Sequence, residues 1–494
     1  MAAPPSFIKQ WSTTPASNGT SPNVVPYGWP EGMAPSTVND TARQQMADHR
    51  YQWQDAEWFC WGDSVSKVSG TVFKIATDVT ARYLAERRIK IYDTATMYAT
   101  ILSSSYSAPD TSITVQFDNS ENSISASFSA VALGIITPTN QSIPRNLAMG
   151  TGNRNIIIGG NFDTNPWQRG TTFTGPATGT YAADRFSWVS SGAGVVNILK
   201  TNDGPTLAEA GIYAPNCLHV DVTTADAALA AGDQYNLLYV VEGYDFSHIF
   251  GRQYTLSFWH KHTKTGTYCV SFYNNATDQY YIAQYTQDTA DTWEKAAITV
   301  PAYSTGTWQL TNSGGLYIAW SLAQGSTLGS GVNATWTAAS YQLATSSQVN
   351  AMDSTSNNFK LALIKLEIGA VATSYPVEGE QEILARCQRY YQKTYAQGTY
   401  AGTATLVGSI ISGNSATTNG EHYINIPYMV TMRAAPTATA YSSFAGTSGS
   451  WTENDNSDKA VSVVNIGDSY ATVTGTNDVG QSFLQGHLTL SAEL

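Results

Sequence analysis

The sequence runs to 494 residues with a net charge of −12, and only 13% of it is charged, about half the ~25% of an ordinary globular chain. An acidic balance of this size excludes nucleic acid as the main partner, because phosphate binding needs concentrated Lys and Arg; no apolar run reaches the roughly 20 residues of a membrane span, which excludes membrane insertion by a helix. At roughly 100–200 residues per domain the length predicts three or four units, and Thr, Ser, Asn, Gly and Tyr in place of Lys and Glu favour strands and turns.

The first residues, MAAPPSFIKQW, lack the charged start and apolar core of a secretion signal, which predicts a protein made and kept in a cytoplasm. Residues 1–35 are rich in Pro, Gly, Ser and Asn but carry Trp11, Tyr27 and Trp29. They read either as a peg that orders on docking or as an arm packed on its own domain. Pro35 and Ser36 open a helix over 36–60. Within it Ala42, Met46, His49, Trp53, Ala56 and Cys60 fall at spacings of 4, 3, 4, 3 and 4, a heptad seam that suits partner helices. Its short length leaves packing within one domain open.

Residues 61–138 change to period two, with strands expected at 71–75, 89–92, 98–102 and 111–117. Arg82, Arg87, Arg88 and Lys90 sit among them, as a solvated strand edge or a ligand site. Residues 139–154 form a linker. Residues 155–376 supply many short strands, among them 155–159, 185–189, 254–259, 268–273, 316–320 and 359–366, which predicts a two-sheet sandwich of jelly-roll type. A second helix is expected over 377–396, with Ile383, Leu384, Cys387, Tyr390 and Tyr391 on one face, acids at its start and Arg386, Arg389 and Lys393 nearer its end. Residues 397–494 return to short strands and form a β tip domain.

The chemistry on offer is sparse. Cys60, Cys217, Cys269 and Cys387 are scattered without a C-x-x-C pair, so buried free thiols are expected rather than zinc or disulfides. Gly62-Asp63-Ser64 and Gly467-Asp468-Ser469 lack the downstream Asp and His of an esterase and read as turns. His260 and His262 share one strand face; three copies around an axis would offer six nitrogens to a metal, and an exposed edge is the plainer reading. A glycan-cleaving site needs two facing carboxylates; Asp163, Asp184 and Glu242 are available. No metal, cofactor or catalytic residue is predicted. Sugar binding suits the composition, since aromatic faces stack on pyranose C–H groups while amides and carboxylates hold hydroxyls. Tyr273, Asn275, Asp278, Tyr280 and Tyr281 form one candidate, which as tyrosine packing at a subunit contact would need no sugar. Tyr441 and Trp451, beside Phe444 and Asn454, form another.

Three stretches resemble tail-fibre proteins of tailed bacteriophages. Residues 29–43, with Trp29, Met33, Pro35, Asn39 and Arg43, are similar to the N-terminal virion-attachment segment of such fibres. Arg87-Arg-Ile-Lys-Ile-Tyr92 and the strands after it resemble a small β domain that often follows. Asn155-Ile-Ile-Ile-Gly-Gly-Asn-Phe-Asp163, Asn165-Pro-Trp-Gln-Arg169, Ala183-Asp-Arg-Phe186, Lys365-Leu-Glu-Ile-Gly-Ala370 and Leu384–Lys393 are similar to a fibre jelly roll related in shape to carbohydrate-binding modules. The resemblance implies an elongated, mainly β homotrimer: a short N-terminal helix bundle, a small β domain, a jelly-roll sandwich and a C-terminal β tip. It implies docking on phage tail proteins through Trp11, Tyr27, Trp29, Met33, Pro35, Asn39 and Arg43, contact with a host-surface glycan or other receptor farther along, and residence in the virion. A tailspike glycosidase and a purely structural adaptor or head fibre are the alternatives.

Overall fold

The protein is described here by a computed structural model in which residues 57–118, 122–135, 154–413, 420–478 and 481–494 are described. The expected docking arm and the seam residues Ala42 to Ala56 lie outside them. Two compact units result, one taking the described residues up to 135 with Gly369–Thr373, the other Arg154–Ile368 with Ser374–Leu494.

The first unit is a seven-stranded antiparallel sheet in the order Trp58–Phe59, Ala130–Gly134, Arg88–Tyr92, Thr96–Ser107, Asp110–Phe117, Val72–Ala76, Val65–Lys67. Strict alternation explains it: Phe73 and Ile75, Ile89 and Ile91, Ile113, Val115 and Phe117, Val131 and Leu133 turn to one face and bury against Val79, Tyr83 and Ile124. Two expectations change. Trp58–Phe59 pairs with Leu133 and Gly134, so Cys60 follows a strand and is not in the helix expected over 36–60; the aromatic pair suits a pleated surface better than a seam. The basic cluster is no strand edge, because Arg88–Tyr92 is paired on both sides. Arg82 meets Asp63 at 2.9 Å, Arg88 grips Asp118, and buried Arg87 donates to the carbonyl oxygens of Gly134 and Arg82.

The second unit opens with a two-sheet antiparallel sandwich of jelly-roll kind. One sheet runs Thr337–Ala338, Gln279–Gln287, Gly266–Tyr273, Gly314–Gln324, Gln234–Glu242, Phe186–Ser191, Thr180–Tyr181; the other runs Glu294–Val300, Tyr254–His262, Asn358–Ile368, Cys217–Thr224, Val195–Thr201, Thr172–Thr174. Inward residues of both meet in one core holding Trp188, Tyr239, Phe258, Phe272 and Trp320. Loop carbonyls and amides near its start are satisfied internally: Asn155 Oδ1 accepts from the backbone N–H groups of Ile157 and Leu366, and Asn165 bridges Gly159, Trp167 and Asp184.

The second helix is Glu380–Gln388, shorter than the sequence predicts. Its apolar face reduces to Ile383 and Cys387, against Ile158 and Tyr390. Past Arg389 the chain extends, and Tyr391–Lys393 pairs with Leu484–Ser491. A long-range strand partner overrides local helix propensity there. The tip is built on Leu484–Ser491, which also pairs with Ile410–Ile411, Thr437–Ser442 and Ser450–Glu453, the last pairing on to Asp458–Ala460. A three-stranded sheet, Glu421–Pro427, Tyr470–Thr476 and Ser462–Val464, packs its inner face on the same core around Trp451.

Candidate functional site

The sandwich leaves two edge strands facing one opening. Glu294–Val300 pairs only with Tyr254–His262 among the described strands. Gln279–Gln287 pairs along its length with Gly266–Tyr273 and, on its other side, with Thr337–Ala338 only at Gln279 and Tyr280. Between these strands lies a cleft of about 770 Å³, within the roughly 300–1,000 Å³ of small-ligand sites. Its lining joins buried His260, Tyr285 and Trp293 and half-buried Trp259 to exposed Thr286, Asp288, Thr289 and Lys295.

The turn beside the cleft is held from within. Glu294 accepts the backbone N–H of Asp288 and Thr289 at 2.8–3.1 Å. Gln287 donates from Nε2 to the carbonyl oxygens of Thr289 and Thr292, and its Oε1 accepts from the His262 N–H at 2.9 Å and lies 3.0 Å from His260 Nδ1. His260 therefore donates from Nδ1. Burial pulls its pKa from 6.5 down to about 4 against the opposing pull of Gln287, Glu294 and Asp288, which keeps the ring neutral. His262 stacks on Tyr268 at 3.7 Å and on Phe359 at 4.5 Å. Neither the exposed edge nor the axial metal survives for this pair: both rings are inside the sandwich, on a strand paired on both sides. Among the described residues no group of three or more His, Cys, Asp or Glu could hold a metal ion.

The tyrosine candidates are placed differently from their sequence promise. Tyr273 and Tyr280 lie on the outer sheet face but are covered: Tyr273 packs on Tyr317 at 5.1 Å and Tyr341 at 4.9 Å, with Leu343 and Ala344 over the same cluster. Tyr281 points the other way, into the core near Phe272 and Trp336. Asn275 and Asp278 are exposed at the hairpin turn, where Asn275 Oδ1 accepts from Tyr317 Oη at 2.7 Å. In the tip, Tyr441 is half-buried and meets Tyr395 edge-on. Trp451 has no accessible surface and donates from Nε1 to the His487 carbonyl oxygen. Trp451, Tyr273, Tyr280 and Tyr281 thus present no open face to a sugar. The cleft residues were missed because they come from strands that sequence cannot set edge to edge; the run Tyr285-Thr-Gln-Asp288 followed by Trp293 was the available signal.

The motifs that carry the fibre resemblance converge where the sandwich meets the tip. Buried Arg185 donates to the Val240 carbonyl oxygen and pairs with Glu493, which Arg169 also reaches at 3.1 Å. Asp184 accepts from the Gln168 N–H at 2.8 Å, and burial raises its pKa. Lys393 donates to the carbonyl oxygens of Gln168, Gln397 and Thr399 at 2.7–2.9 Å, with burial pulling its pKa down to about 8. Arg389 and Tyr390 hold Glu242 through hydrogen bonds that outweigh its burial and keep its pKa low. Asp163 accepts from Asn216. The three carboxylates available for glycan cleavage are therefore each bound by internal donors. Asp63 accepts from Arg82 and Tyr83, and Gly467–Ser469 is the turn into Tyr470–Thr476. The four cysteines are free, three of them buried.

No family profile and no curated protein matches the chain. Among solved structures it is similar to the enzymatically active domain of tailspike protein 4 of Bacteriophage CBA120, at 12% identity and a TM-score of 0.22, covering 40% of this chain and 21% of that one. It is similar to the module TmCBM61 in complex with β-1,4-galactotriose, at 9% identity and 0.22, covering 44% and 99%, and to the tandem CBM22-1–CBM22-2 domain of Paenibacillus barcinonensis Xyn10C, at 14% identity and 0.22, covering 61% and 80%. This chain thus spans about a fifth of the tailspike domain, and at these TM-scores the likenesses decide nothing about what it binds. The chain is a mainly β, multi-sheet protein with carbohydrate-binding modules and a phage tailspike domain among its structural neighbours.

Proposed function

We propose that this protein is a bacteriophage tail fibre that binds host-surface glycan through its jelly roll. The observation that carries the reading is the open cleft between Gln279–Gln287 and Glu294–Val300, where half-buried Trp259 lies near exposed Thr286, Asp288, Thr289 and Lys295, over a floor that includes buried Tyr285 and Trp293. The accessible part of one indole beside hydroxyl, carboxylate and ammonium groups fits a polyhydroxylated ligand. The chain acts as a homotrimer in the virion, with its N-terminal residues on phage tail proteins, and it binds glycan without cutting it. Three copies per fibre multiply weak single contacts.

The test is binding of the purified, labelled chain to host cells and to their extracted polysaccharide. The double variant Asp288→Ala, Lys295→Ala changes two exposed side chains and is expected to weaken binding roughly tenfold, the equivalent of about 1.4 kcal/mol. Unchanged binding would remove the cleft from the account. Release of reducing sugar would make the protein a tailspike glycosidase. Binding to tail proteins with none to cells would make it an adaptor. A light-scattering mass other than that of three chains would end the trimer.

A further inference from the structure

The tip carries a second surface built like a binding site, on the outer face of its three-stranded sheet. Alternation along Glu421–Pro427 sends Ile424 and Ile426 to the core and Tyr423, Asn425 and Pro427 outward. Pairing register sets Thr474, Thr472 and Tyr470 opposite these three, and Ser462 and Val464 opposite Thr474 and Thr472. Directly opposed residues share a face, so one face bears two exposed tyrosines with exposed Asn425 and Ser462 and half-buried Thr474 between them, and Thr472 buried beneath. Tyr423 is 68% exposed and Tyr470 48%. Four residues of strand separate their positions, about 14 Å at 3.4 Å per residue, the span of an oligosaccharide rather than one sugar. Thr472 Oγ1 donates to Asn425 Oδ1 at 2.7 Å, which fixes the amide with its N–H donors unspent.

Charge selects the occupant. Residues 396–494 contain two cationic side chains, Arg433 and Lys459. Arg433 is spent on the carbonyl oxygens of Asn312, Ala492 and Glu493, and Lys459 is paired with Asp478. Glu421, which accepts from Tyr423 Oη at 3.0 Å, adds negative charge to the platform. An acidic polysaccharide would meet repulsion with no cation to offset it, whereas an uncharged one needs only stacking faces and hydroxyl partners.

We propose that this face is a second glycan site, independent of the jelly-roll cleft, that takes a segment of uncharged polysaccharide and rejects uronate-rich chains. The experiment uses the full chain and isothermal titration with dextran, galactan and mannan as uncharged probes and alginate as the acidic one. At least one uncharged probe is expected to bind at least tenfold more tightly than alginate. Tyr423→Ala and Tyr470→Ala should each weaken that binding at least fivefold with an unchanged melting temperature, while Tyr213→Ala, another exposed tyrosine, changes nothing. The double variant at Asp288 and Lys295 should leave this contribution in place, so failure of the cleft and failure of the platform are read separately. Binding of no uncharged probe, equal binding of alginate, or unchanged binding in both tyrosine variants would overturn the proposal. So would a change in oligomeric mass in those variants, which would make the face a contact between copies of this chain.

Discussion

The jelly roll and the tip both carry tyrosines on the outer face of a sheet, and they use them in opposite ways. In the jelly roll Tyr273 and Tyr280 lie under the chain that runs through Tyr341, Leu343 and Ala344, and their rings serve as packing. In the tip nothing described covers Tyr423 and Tyr470, and their rings face outward. Local sequence is much the same in both, aromatic residues among Asn, Thr and Ser. What differs is whether a later segment returns over the sheet, and that decides whether an aromatic residue contributes to stability or to recognition.

The largest effects should come from side chains that close the interior. Trp451→Ala empties the centre of the tip core and should cost about 3–5 kcal/mol, seen as a lower denaturation midpoint. A surface-stacking tryptophan would leave the midpoint nearly unmoved, so this one variant separates the two roles. Arg185→Ala should cost less, about 1.5–3 kcal/mol, because it removes one of the two guanidinium groups that hold Glu493 between sandwich and tip and leaves Arg169 in place. A denaturation curve that splits in two in Arg185→Ala would show that this contact couples the folding of the two regions.

The histidines of the sandwich should make it acid-sensitive. His260 has a folded pKa of about 4 against 6.5 when unfolded, so the unfolded chain takes up the proton first. Its contribution is fully present above pH 6.5 and is lost as pH falls from 6.5 towards 4. A gap of about two and a half pH units at about 1.4 kcal/mol each makes this roughly 3 kcal/mol. His262, also held well below 6.5 by burial, extends the loss in the same direction. Urea titrations between pH 7 and 4.5 should show the fall, and His260→Gln should flatten it. A stability independent of pH across that window would mean that neither ring is buried in the folded chain.

Periodicity made the β units legible. The alternation of Phe73 and Ile75 or of Ile113, Val115 and Phe117 needs no tertiary information to predict a half-buried strand. The second helix was half legible: dipole-ordered charges mark its start at Glu380, but only the distant strand Leu484–Ser491 explains why Tyr391–Lys393 extends. The cleft and the tip platform were not legible, because both depend on which strands become edges and which faces stay bare. Trp451 is the instructive case, since its neighbours Ser450, Thr452 and Asn454 look like a surface loop while register turns its ring inward.

The smallest effect expected is also the one that sharpens the contrast most. Tyr423→Ala removes an aromatic side chain that is 68% exposed, on a strand paired at every residue from Glu421 to Pro427. Its hydrogen bond to Glu421 lies at the surface, and exposed substitutions of this kind usually stay within about 0.5 kcal/mol. Tyr273→Ala, the same chemical change under a covering segment, should cost about 3 kcal/mol or more. Thermal melts of the two variants beside the parent chain measure the difference directly. If Tyr423→Ala proves as destabilising as Tyr273→Ala, its ring is being buried by something in solution, and the bare face of the tip is an interface.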